Sequence, residues 1–435
     1  MKGQELYSRA RAIIPGGTQL LSKRPEMFLP EHWPAYYRSA KGVEVIDLDD
    51  RTYLDMSLMG VGACVLGYAD PEVDGSVKAA IDQGVQCTLN APEEVELAET
   101  LCTLHPWADM VRYGRSGGEA MAIAVRIARA HAREDTVAFC GYHGWYDWYL
   151  AANLSEDDAL DGHLMPGLTP GGVPRGLLGT SLPFHYNHLD QLEEIVSSTQ
   201  GTLAAIVMEP QRDQPPKSGF LEGVRRIARE TGAVLIFDEI TTGFRMGAGG
   251  IHLNLGIEPD IAVFAKAMAN GYAMSAVIGR EEVMQAAQET FISSTNWTER
   301  IGPTAALATI DKYRREKVAD HLIATGTTVS RGWQQAAEET GLRLEASGLP
   351  SLSHFTLGHD EELILTTLFT QLMLERGFLA FNQFKPSFAH KHSHVEQYLE
   401  NVHEVFGILA KAVEQGNARD LLRGPPARRG FYHLT

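Results

Sequence analysis

The sequence predicts an α/β protein built on a mostly parallel β-sheet. Two observations predict this class: short apolar runs alternate with amphipathic segments between about residues 110 and 280, and chemically reactive side chains directly follow the runs. Continuous apolar runs of this length are typical of strands that are buried on both faces, as in parallel sheets. The five runs are TVAFC (136–140), LAAIVM (203–208), AVLIF (233–237), DIAVF (260–264) and SAVIG (275–279).

The segments between the runs predict amphipathic helices. FLEGVRRIARETG (220–232) has helical periodicity, and Gly232 is suited to end the helix because glycine adopts a left-handed backbone without strain. YGRSGGEAMAIAVRIARAHA (113–132) predicts a glycine turn that opens a second helix. The apolar positions of this helix form one stripe: Ala120, Ile123, Ala124, Ile127 and Ala128.

The glycine turn of the second helix is a candidate anion site. The amides of Gly117 and Gly118 would lack intrahelical acceptors, and the helix dipole favours negative charge near them. A plain junction between a loop and a helix would have the same sequence, because the stretch matches neither the Walker A pattern nor GxGxxG. Both interpretations stay open at this point.

Length and composition restrict the functional class. The chain has 435 residues, enough for two or three domains, and its 44% hydrophobic and 21% charged content is ordinary for a globular protein. The formal net charge of −17 disfavours a nucleic-acid or anionic-membrane surface, and no apolar stretch is long enough to cross a bilayer. Because the chain starts without an apolar signal-peptide core and its four cysteines lack metal-ligand spacing, we expect reduced thiols, no metal site and a cytoplasmic location.

Four of the apolar runs are followed by side chains that can carry chemistry. Ligands of open α/β sheets bind beyond the carboxyl ends of the strands, so we expect these side chains to share one crevice. A lysine directly after a buried strand either extends its amine to solvent or serves as a catalytic amine. The residues are Gly141-Tyr142-His143-Gly144 after the first run, Glu209 after the second, Asp238 and Glu239 after the third, and Lys266 after the fourth.

A long segment rich in proline and glycine, HLMPGLTPGGVPRGLLGTSLPF (163–184), lies between two predicted strands. Segments of this length without regular structure tend to be functional lids or disordered. Because strand-like sequence flanks both ends, we predict a lid.

Several of these stretches resemble one enzyme family. IFDEITTGFR (236–245) and FAKAMANGY (264–272) resemble class III (fold type I) aminotransferases, which depend on pyridoxal 5′-phosphate. SGGEA (116–120), GYHGWYD (141–147) and GVPRG (172–176) resemble more particularly the glutamate-1-semialdehyde 2,1-aminomutase subgroup. The similarity runs in order from about residue 3 to 410.

The resemblance implies a fold, a cofactor and an assembly. The fold would be the pyridoxal-phosphate-dependent transferase fold type I, with a large cofactor-binding domain at 56–315 and a smaller α+β domain formed by 1–55 and 316–435. The cofactor would be pyridoxal 5′-phosphate, and the substrates would be a small-molecule amine donor and a carbonyl acceptor. The molecule would be a homodimer with its active sites at the interface, with no nucleic-acid or membrane partner.

The resemblance also implies roles for individual residues. Lys266 would form a Schiff base with the cofactor and then move the α-proton of the substrate, and Asp238 would keep the pyridine nitrogen protonated, which makes the ring an electron sink. The other implied positions are Tyr142 and Ile240 on the two faces of the ring, His143 and Glu209 near the ring oxygen and Asp238, Ser116, Gly117 and Gly118 at the phosphate, and Thr298 at the phosphate of the neighbouring subunit.

The sequence departs from the aminomutase subgroup at the substrate end. PGGTQLLSKRPEMF (15–28) lacks, at the aligned positions, the serine and arginine that bind the substrate carboxylate in that subgroup, although Ser22, Lys23 and Arg24 are adjacent. A pocket without its carboxylate partners loses affinity for that substrate. We therefore expect that the chain is not the aminomutase of the tetrapyrrole pathway.

Two departures lie nearer the cofactor. Relatives usually have Thr or Ser where Gly118 stands, so one hydroxyl contact to the phosphate is missing. The segment after Glu209, PQRDQPPKSGF, adds Arg212 and Lys217 near the mouth of the expected site, without an assigned role.

Three activities would share all of these cofactor residues: an aminotransferase, an intramolecular 1,2-aminomutase and an epimerase acting at Cα. We expect the aminotransferase, since an opening lid allows a second substrate to enter, whereas a lid that retains the intermediate favours mutase chemistry. Two alternatives come from other classes. Intact Lys266 and Asp238 disfavour a cofactor-free binding protein, and the missing dinucleotide fingerprint disfavours an NAD-binding protein.

Overall fold

The structure of the chain is a computed structural model that describes residues 1–156, 158–163 and 166–431. The strands in these ranges are β1 (Tyr37–Lys41), β2 (Glu44–Asp47), β3 (Thr52–Asp55), β4 (Met110–Gly114), β5 (Val137–Cys140), β6 (Ser181–Pro183), β7 (Ala205–Met208), β8 (Val234–Asp238), β9 (Ile261–Phe264), β10 (Ser275–Gly279), β11 (Leu344–Ser347), β12 (Ser353–Leu357), β13 (Phe378–Leu379) and β14 (Gln383–Phe384).

The α-helices in the same ranges are α1 (Lys2–Ile13), α2 (Pro71–Asp82), α3 (Pro92–Leu104), α4 (Gly117–Ala132), α5 (Asp147–Leu150), α6 (Leu189–Ser198), α7 (Phe220–Thr231), α8 (His252–Leu255), α9 (Glu281–Met284), α10 (Ile301–Arg315), α11 (Val318–Thr340), α12 (Glu362–Glu375) and α13 (His392–Gln415). The chain divides into two compact units, residues 71–319 and residues 1–70 with 320–435. The domain boundaries at 56 and 316 stay a prediction.

The unit of residues 71–319 contains a seven-stranded sheet in the order β4–β10–β9–β8–β7–β5–β6. Neighbouring strands are parallel except at β10, which runs antiparallel to both β4 and β9. The five apolar runs of the sequence form β5, β7, β8, β9 and β10. The prediction of an α/β fold with a mostly parallel sheet is therefore confirmed.

Helices on both faces of this sheet explain why its central strands are apolar throughout. Successive side chains of a strand point to opposite faces, so Ile236 packs in one cluster with Ile127 of α4, while Leu235 packs in another with Ile227 of α7. The predicted apolar stripe of α4 is buried, and α7 ends at Gly232 with a φ of 74°, as expected for a glycine C-cap. Both predicted helices are confirmed.

The segment predicted as a lid is partly regular structure. Residues 181–183 form β6, which pairs in parallel with β5 at the edge of the sheet. The prediction is wrong for these residues, because their backbone is fixed by the sheet. Residues 164 and 165 lie outside the described part of the chain, and a lid in the rest of 163–180 stays a prediction.

The unit of residues 1–70 and 320–435 has two small sheets. Strands β1, β2, β3 and β13 form one, in that order, and β11, β12 and β14 form the other. The core of this unit is aromatic: the indole of Trp333 is fully buried and donates a hydrogen bond of 3.0 Å to the hydroxyl of Tyr398. A mixture of short strands and long helices makes this unit an α+β structure.

Arg225 and Arg226 are neighbours on α7 with opposite surroundings, and we predict opposite effects of replacing them. Arg225 binds both carboxylate oxygens of Asp260, at 2.7 and 2.8 Å, and Asp260 also accepts the amide of Leu235, which ties α7 to β8 and to the residue before β9. Arg225→Gln should lower the free energy of unfolding by about 2 kcal/mol, since it removes two charge-assisted hydrogen bonds from a largely buried carboxylate and leaves only the amide of Leu235 and the longer ion pair with Arg280, at 3.6 Å.

Arg226 is the matched control, because its side chain is 51% exposed and pairs with Glu193 and Glu230 at the surface. Arg226→Gln should cost about 0.5 kcal/mol or less. Thermal unfolding at one scan rate compares the two variants. Equal shifts of the midpoint would contradict the structural role of Arg225.

Candidate active site

The carboxyl ends of β5 and β8 bring His143 and Asp238 into contact. Oδ2 of Asp238 lies 2.8 Å from Nδ1 of His143, and both side chains are almost fully buried. Nε2 of His143 donates to the carbonyl oxygen of Cys140 at 3.0 Å, and Oδ1 of Asp238 accepts the amide of Ile240 at 3.0 Å. His143 therefore connects the carboxylate of Asp238 to the backbone at the end of β5.

Lys266 follows β9 after a single residue and begins a short 3₁₀-helix, Lys266–Ala269. Its backbone has a φ of 44°, in the left-handed region that costs a non-glycine residue about 1–2 kcal/mol. The turn continues through Asn270, with a φ of 45°, and Gly271, with a φ of 96°. The backbone is therefore left-handed both at the lysine and at the turn that the sequence marks with Asn-Gly.

The amine of Lys266 has the properties of a nucleophile and base. Its Nζ lies 2.9 Å from the hydroxyl oxygen of Thr241. The pKa of the amine is lowered to about 8, first because burial disfavours the charged form and second because of the positive charge of Arg212, while the charge of Asp238 acts in the opposite direction. A substantial fraction of the amine is thus neutral near physiological pH.

Glu209 lies directly after β7 and packs beneath the loop that follows β5. A Cβ atom at Gly141 would lie 3.0 Å from Oε2 of Glu209, and the φ of Gly141 is 105°, so this position requires glycine on two grounds. Burial raises the pKa of Glu209, and the adjacent charge of Arg212 lowers it. Nη1 of Arg212 lies 3.2 Å from Oε2 of Glu209.

Tyr142 and Ile240 are held by their neighbours. The ring of Tyr142 packs edge-on against Tyr149, with 5.9 Å between centroids, and the hydroxyl of Tyr149 donates to the carbonyl oxygen of Gly141 at 3.1 Å. Ile240 packs against Gly117, where a Cβ atom would lie 2.9 Å from Cδ1 of Ile240. Any larger residue at position 117 would therefore displace Ile240.

The start of α4 forms the predicted glycine turn, with Ser116 at the N-cap. The carboxylate of Glu119 accepts the amides of Arg115, at 2.6 Å, and Ser116, at 3.4 Å, which fixes the entry into the helix. A Cβ atom at Gly118 would lie 3.3 Å from the ring of Tyr146. This approach is tighter than an ordinary van der Waals contact, so a side chain at position 118 would require Tyr146 to move.

Thr298 is exposed and ends a short 3₁₀-helix, Thr295–Thr298. Its hydroxyl donates to the carbonyl oxygen of Thr295 at 2.9 Å and accepts a hydrogen bond from Gln86 at 3.1 Å. It does not cap α10, because the carboxylate of Glu299 accepts the first amides of that helix. Its contact with the phosphate of a neighbouring subunit stays a prediction.

Glu239 does not join the other strand-end residues. Its fully buried carboxylate accepts hydrogen bonds from the backbone amide of His252 at 3.0 Å, from Nδ1 of His252 at 2.7 Å and from the hydroxyl of Thr242. Nε2 of the same imidazole accepts the indole N–H of Trp107 at 3.0 Å. The expectation that all the strand-end side chains share one crevice is wrong for Glu239, because successive residues of a strand point to opposite faces.

Thr241 is a site residue that the sequence argument missed. It lies in IFDEITTGFR, three residues after Asp238, and a hydroxyl so close to the predicted partner of the cofactor was the available signal. Only the turn after β8 brings it to Lys266, 25 residues later in the chain.

Residues 1–156, 158–163 and 166–431 contain no group of three or more His, Cys, Asp and Glu side chains that could hold a metal ion. In these same ranges, every helix is too short or too polar to span a lipid bilayer.

The chain belongs to the class-III aminotransferases, whose sequence pattern it matches over residues 30–345. It is 33% identical to the 3-aminobutyryl-CoA aminotransferase of Cloacimonas acidaminovorans (strain Evry), over 87% of this chain and 90% of that protein. It is 30% identical to the 2′-deamino-2′-hydroxyneamine transaminase of Streptomyces kanamyceticus, over 87% and 92% of the two chains. A glutamate-1-semialdehyde 2,1-aminomutase of Roseiflexus castenholzii (strain DSM 13941 / HLO8) is also 30% identical, over 95% and 99%.

Solved structures share the fold. The chain superimposes with a TM-score of 0.86 on the pyridoxal-phosphate form of the FumI protein of Sphingopyxis sp. MTA144, which is 24% identical, over 95% of this chain and 97% of that one. A transaminase solved with pyridoxal phosphate bound superimposes with a TM-score of 0.82 at 25% identity, over 94% and 98%. The chain is a pyridoxal-phosphate-dependent aminotransferase of class III.

The described residues fit this cofactor. The carboxylate of Asp238, which is buried and held by His143, suits a protonated pyridine nitrogen, and the amine of Lys266, with its lowered pKa, suits an aldehyde. The glycine turn of α4 leaves room for a phosphate beside its amides, since a Cβ atom would lie 2.9 Å from Ile240 at position 117 and 3.3 Å from Tyr146 at position 118.

We predict that capture of the cofactor by the cofactor-free protein depends on pH through Lys266. Only the neutral amine attacks an aldehyde, so the rate should rise about tenfold per pH unit below about 8 and level off above it. Growth of the visible absorption after mixing measures the rate, and Nα-acetyllysine in the same buffers corrects for titration of the cofactor. A rate that still rises steeply near pH 10, as for an ordinary lysine, would contradict the lowered pKa.

Proposed function

We propose that this chain transfers an amino group between two separate substrates, from an amino donor to a keto or aldehyde acceptor, with Lys266 moving the proton. The observation that carries the proposal is the amine of Lys266, which has a pKa of about 8 and lies 2.9 Å from the hydroxyl of Thr241. An amine with this pKa can both accept and return a proton near neutral pH.

Lys266 has the central role in this proposal. The bound cofactor supplies an aldehyde that takes up the amino group and a ring that accepts electrons. Nζ of Lys266 removes the proton from the substrate carbon that bears the amino group and later delivers a proton back. Thr241 supports this step, because its hydroxyl oxygen accepts a hydrogen bond from Nζ and so restrains the side chain.

Asp238 and His143 act on the pyridine nitrogen in this proposal. Asp238 faces the nitrogen and keeps it protonated, while His143 contacts Oδ2 of the carboxylate and is itself fixed by the carbonyl oxygen of Cys140. Burial of the pair favours this role, because a charge interaction is stronger where water is excluded.

The remaining residues position the ring and the phosphate of the cofactor in this proposal. Tyr142 and Ile240 flank the ring, Glu209 lies near the ring oxygen, Ser116, Gly117 and Gly118 hold the phosphate, and Thr298 extends to the phosphate of the neighbouring subunit. The contact between Ile240 and Gly117 supports this arrangement, because it joins the proposed ring and phosphate positions. We further propose a homodimer that works in the cytoplasm, which the four free cysteines favour.

An intramolecular 1,2-aminomutase is the second candidate. Its support is the 30% identity to glutamate-1-semialdehyde 2,1-aminomutases over 93–95% of this chain. Against it stands the loss of the aligned serine and arginine from residues 15–28. An epimerase would use the same lysine and shares every cofactor residue.

A panel of donors distinguishes these candidates. We expect that one donor, added to the holoenzyme without an acceptor, removes the visible band of the aldehyde form of the cofactor, because the amino group stays on the cofactor. The panel includes amino acids, diamines, amino sugars and a 3-aminoacyl thioester, the last two because of the named relatives. Lys266→Ala is the control and should retain the fold while conversion falls by orders of magnitude.

Full conversion by one donor would support the aminotransferase and identify half of its reaction. A visible band that survives every donor would contradict it and favour an aminomutase or an epimerase.

A further inference from the structure

Arg212 and Glu209 form an ion pair with one hydrogen bond in the loop after β7. Nη1 of Arg212 lies 3.2 Å from Oε2 of Glu209, and the guanidinium makes no second hydrogen bond to the described residues. The other N–H groups of the guanidinium can therefore donate to a further acceptor. The side chain of Arg212 is 26% exposed, whereas that of Glu209 is 9% exposed.

Arg225 has a structural role, and its guanidinium makes more hydrogen bonds than that of Arg212. Arg225 closes both ends of its fork on Asp260, at 2.7 and 2.8 Å, and is 13% exposed. Arg212 is held along one edge only. An arginine presents its N–H groups in a planar fork that matches a carboxylate, so the open edge is a ready site for one.

Arg212 lies within electrostatic range of the reactive groups. Its positive charge is the largest charged influence that lowers the pKa of Lys266, and it also acts on the hydroxyl of Tyr142. The charge of Glu209 in turn raises the pKa of Arg212, so the guanidinium stays charged. Glu209 also lies against Gly141 after β5, so Arg212 adjoins the strand ends that carry Tyr142 and His143.

We propose that the open edge of Arg212 binds the carboxylate of a substrate, while Glu209 holds the opposite edge, so that at least one of the two substrates is an amino acid or an oxo acid. This inference rests on the proposed function. It also gives Arg212 the role of binding the substrate carboxylate. In the aminomutase subgroup that the sequence resembles, a serine and an arginine have this role, and both are missing from the aligned residues 15–28.

The first test measures carboxylate binding without amino transfer. The holoenzyme is titrated with propionate and with propionamide, which has the same shape without the charge, and calorimetry together with the visible band gives the dissociation constants. We expect propionate to bind more tightly than propionamide, and Arg212→Gln to weaken propionate about 10- to 100-fold while propionamide changes by less than about threefold.

Three variants control the interpretation. Arg226→Gln removes the same charge from an exposed position and should leave propionate binding unchanged. Arg212→Lys keeps the charge without the fork and should recover part of the affinity. The double variant Glu209→Gln with Arg212→Gln should stay weak, which separates loss of the guanidinium from repulsion by an unpaired Glu209.

A matched pair of donors extends the test to the reaction. Alanine and isopropylamine differ by a carboxylate in place of a methyl group, and Arg212→Gln should raise the half-saturating concentration of alanine alone. Equal binding of propionate by the native protein and by Arg212→Gln would overturn the inference, as would equal losses for propionate and propionamide. Because the titration requires no amino transfer, its result is independent of whether the proposed function holds.

Discussion

The site depends on the parallel alignment of β5, β7, β8 and β9, whose carboxyl ends lie along one edge of the sheet. This alignment brings His143 to Asp238 across 95 residues of sequence and Lys266 to Thr241 across 25. The pair of Arg225 and Asp260 reinforces it, because Asp260 precedes β9 and its carboxylate accepts an amide from β8. A shift of one strand by one residue would turn its last side chain to the opposite face of the sheet.

The electrostatics of the site follow from two carboxylate pairs with different geometry. Asp238 is paired with the imidazole of His143, and Glu209 is paired with Nη1 of Arg212. Burial disfavours charge on the amine of Lys266, and the nearby guanidinium disfavours it further, whereas the carboxylates favour it. The result is a pKa of about 8, near the value that a base working at neutral pH requires.

The sequence predicts the central sheet because strands that are covered on both faces need apolar side chains. Strands β5, β7 and β9 are apolar throughout, and β8 is apolar up to its last residue, Asp238. The sequence does not predict the face of the sheet to which a side chain at a strand end points. Glu239 is therefore expected beside Asp238, whereas its carboxylate in fact bonds to His252. Strand β6 was missed because its three residues, Ser-Leu-Pro, lack an apolar run. Contacts such as that between Lys266 and Thr241 arise from turns whose course depends on tertiary packing.

The identity of the lysine that binds the cofactor is the most direct test. Reduction of the purified holoenzyme with borohydride fixes the cofactor to the lysine that holds it, and mass spectrometry of the peptides then locates the modified residue. We expect the added mass on the peptide that contains Lys266 and on no other. Modification of a different lysine, or none in a protein that contains the cofactor, would contradict the central role of Lys266.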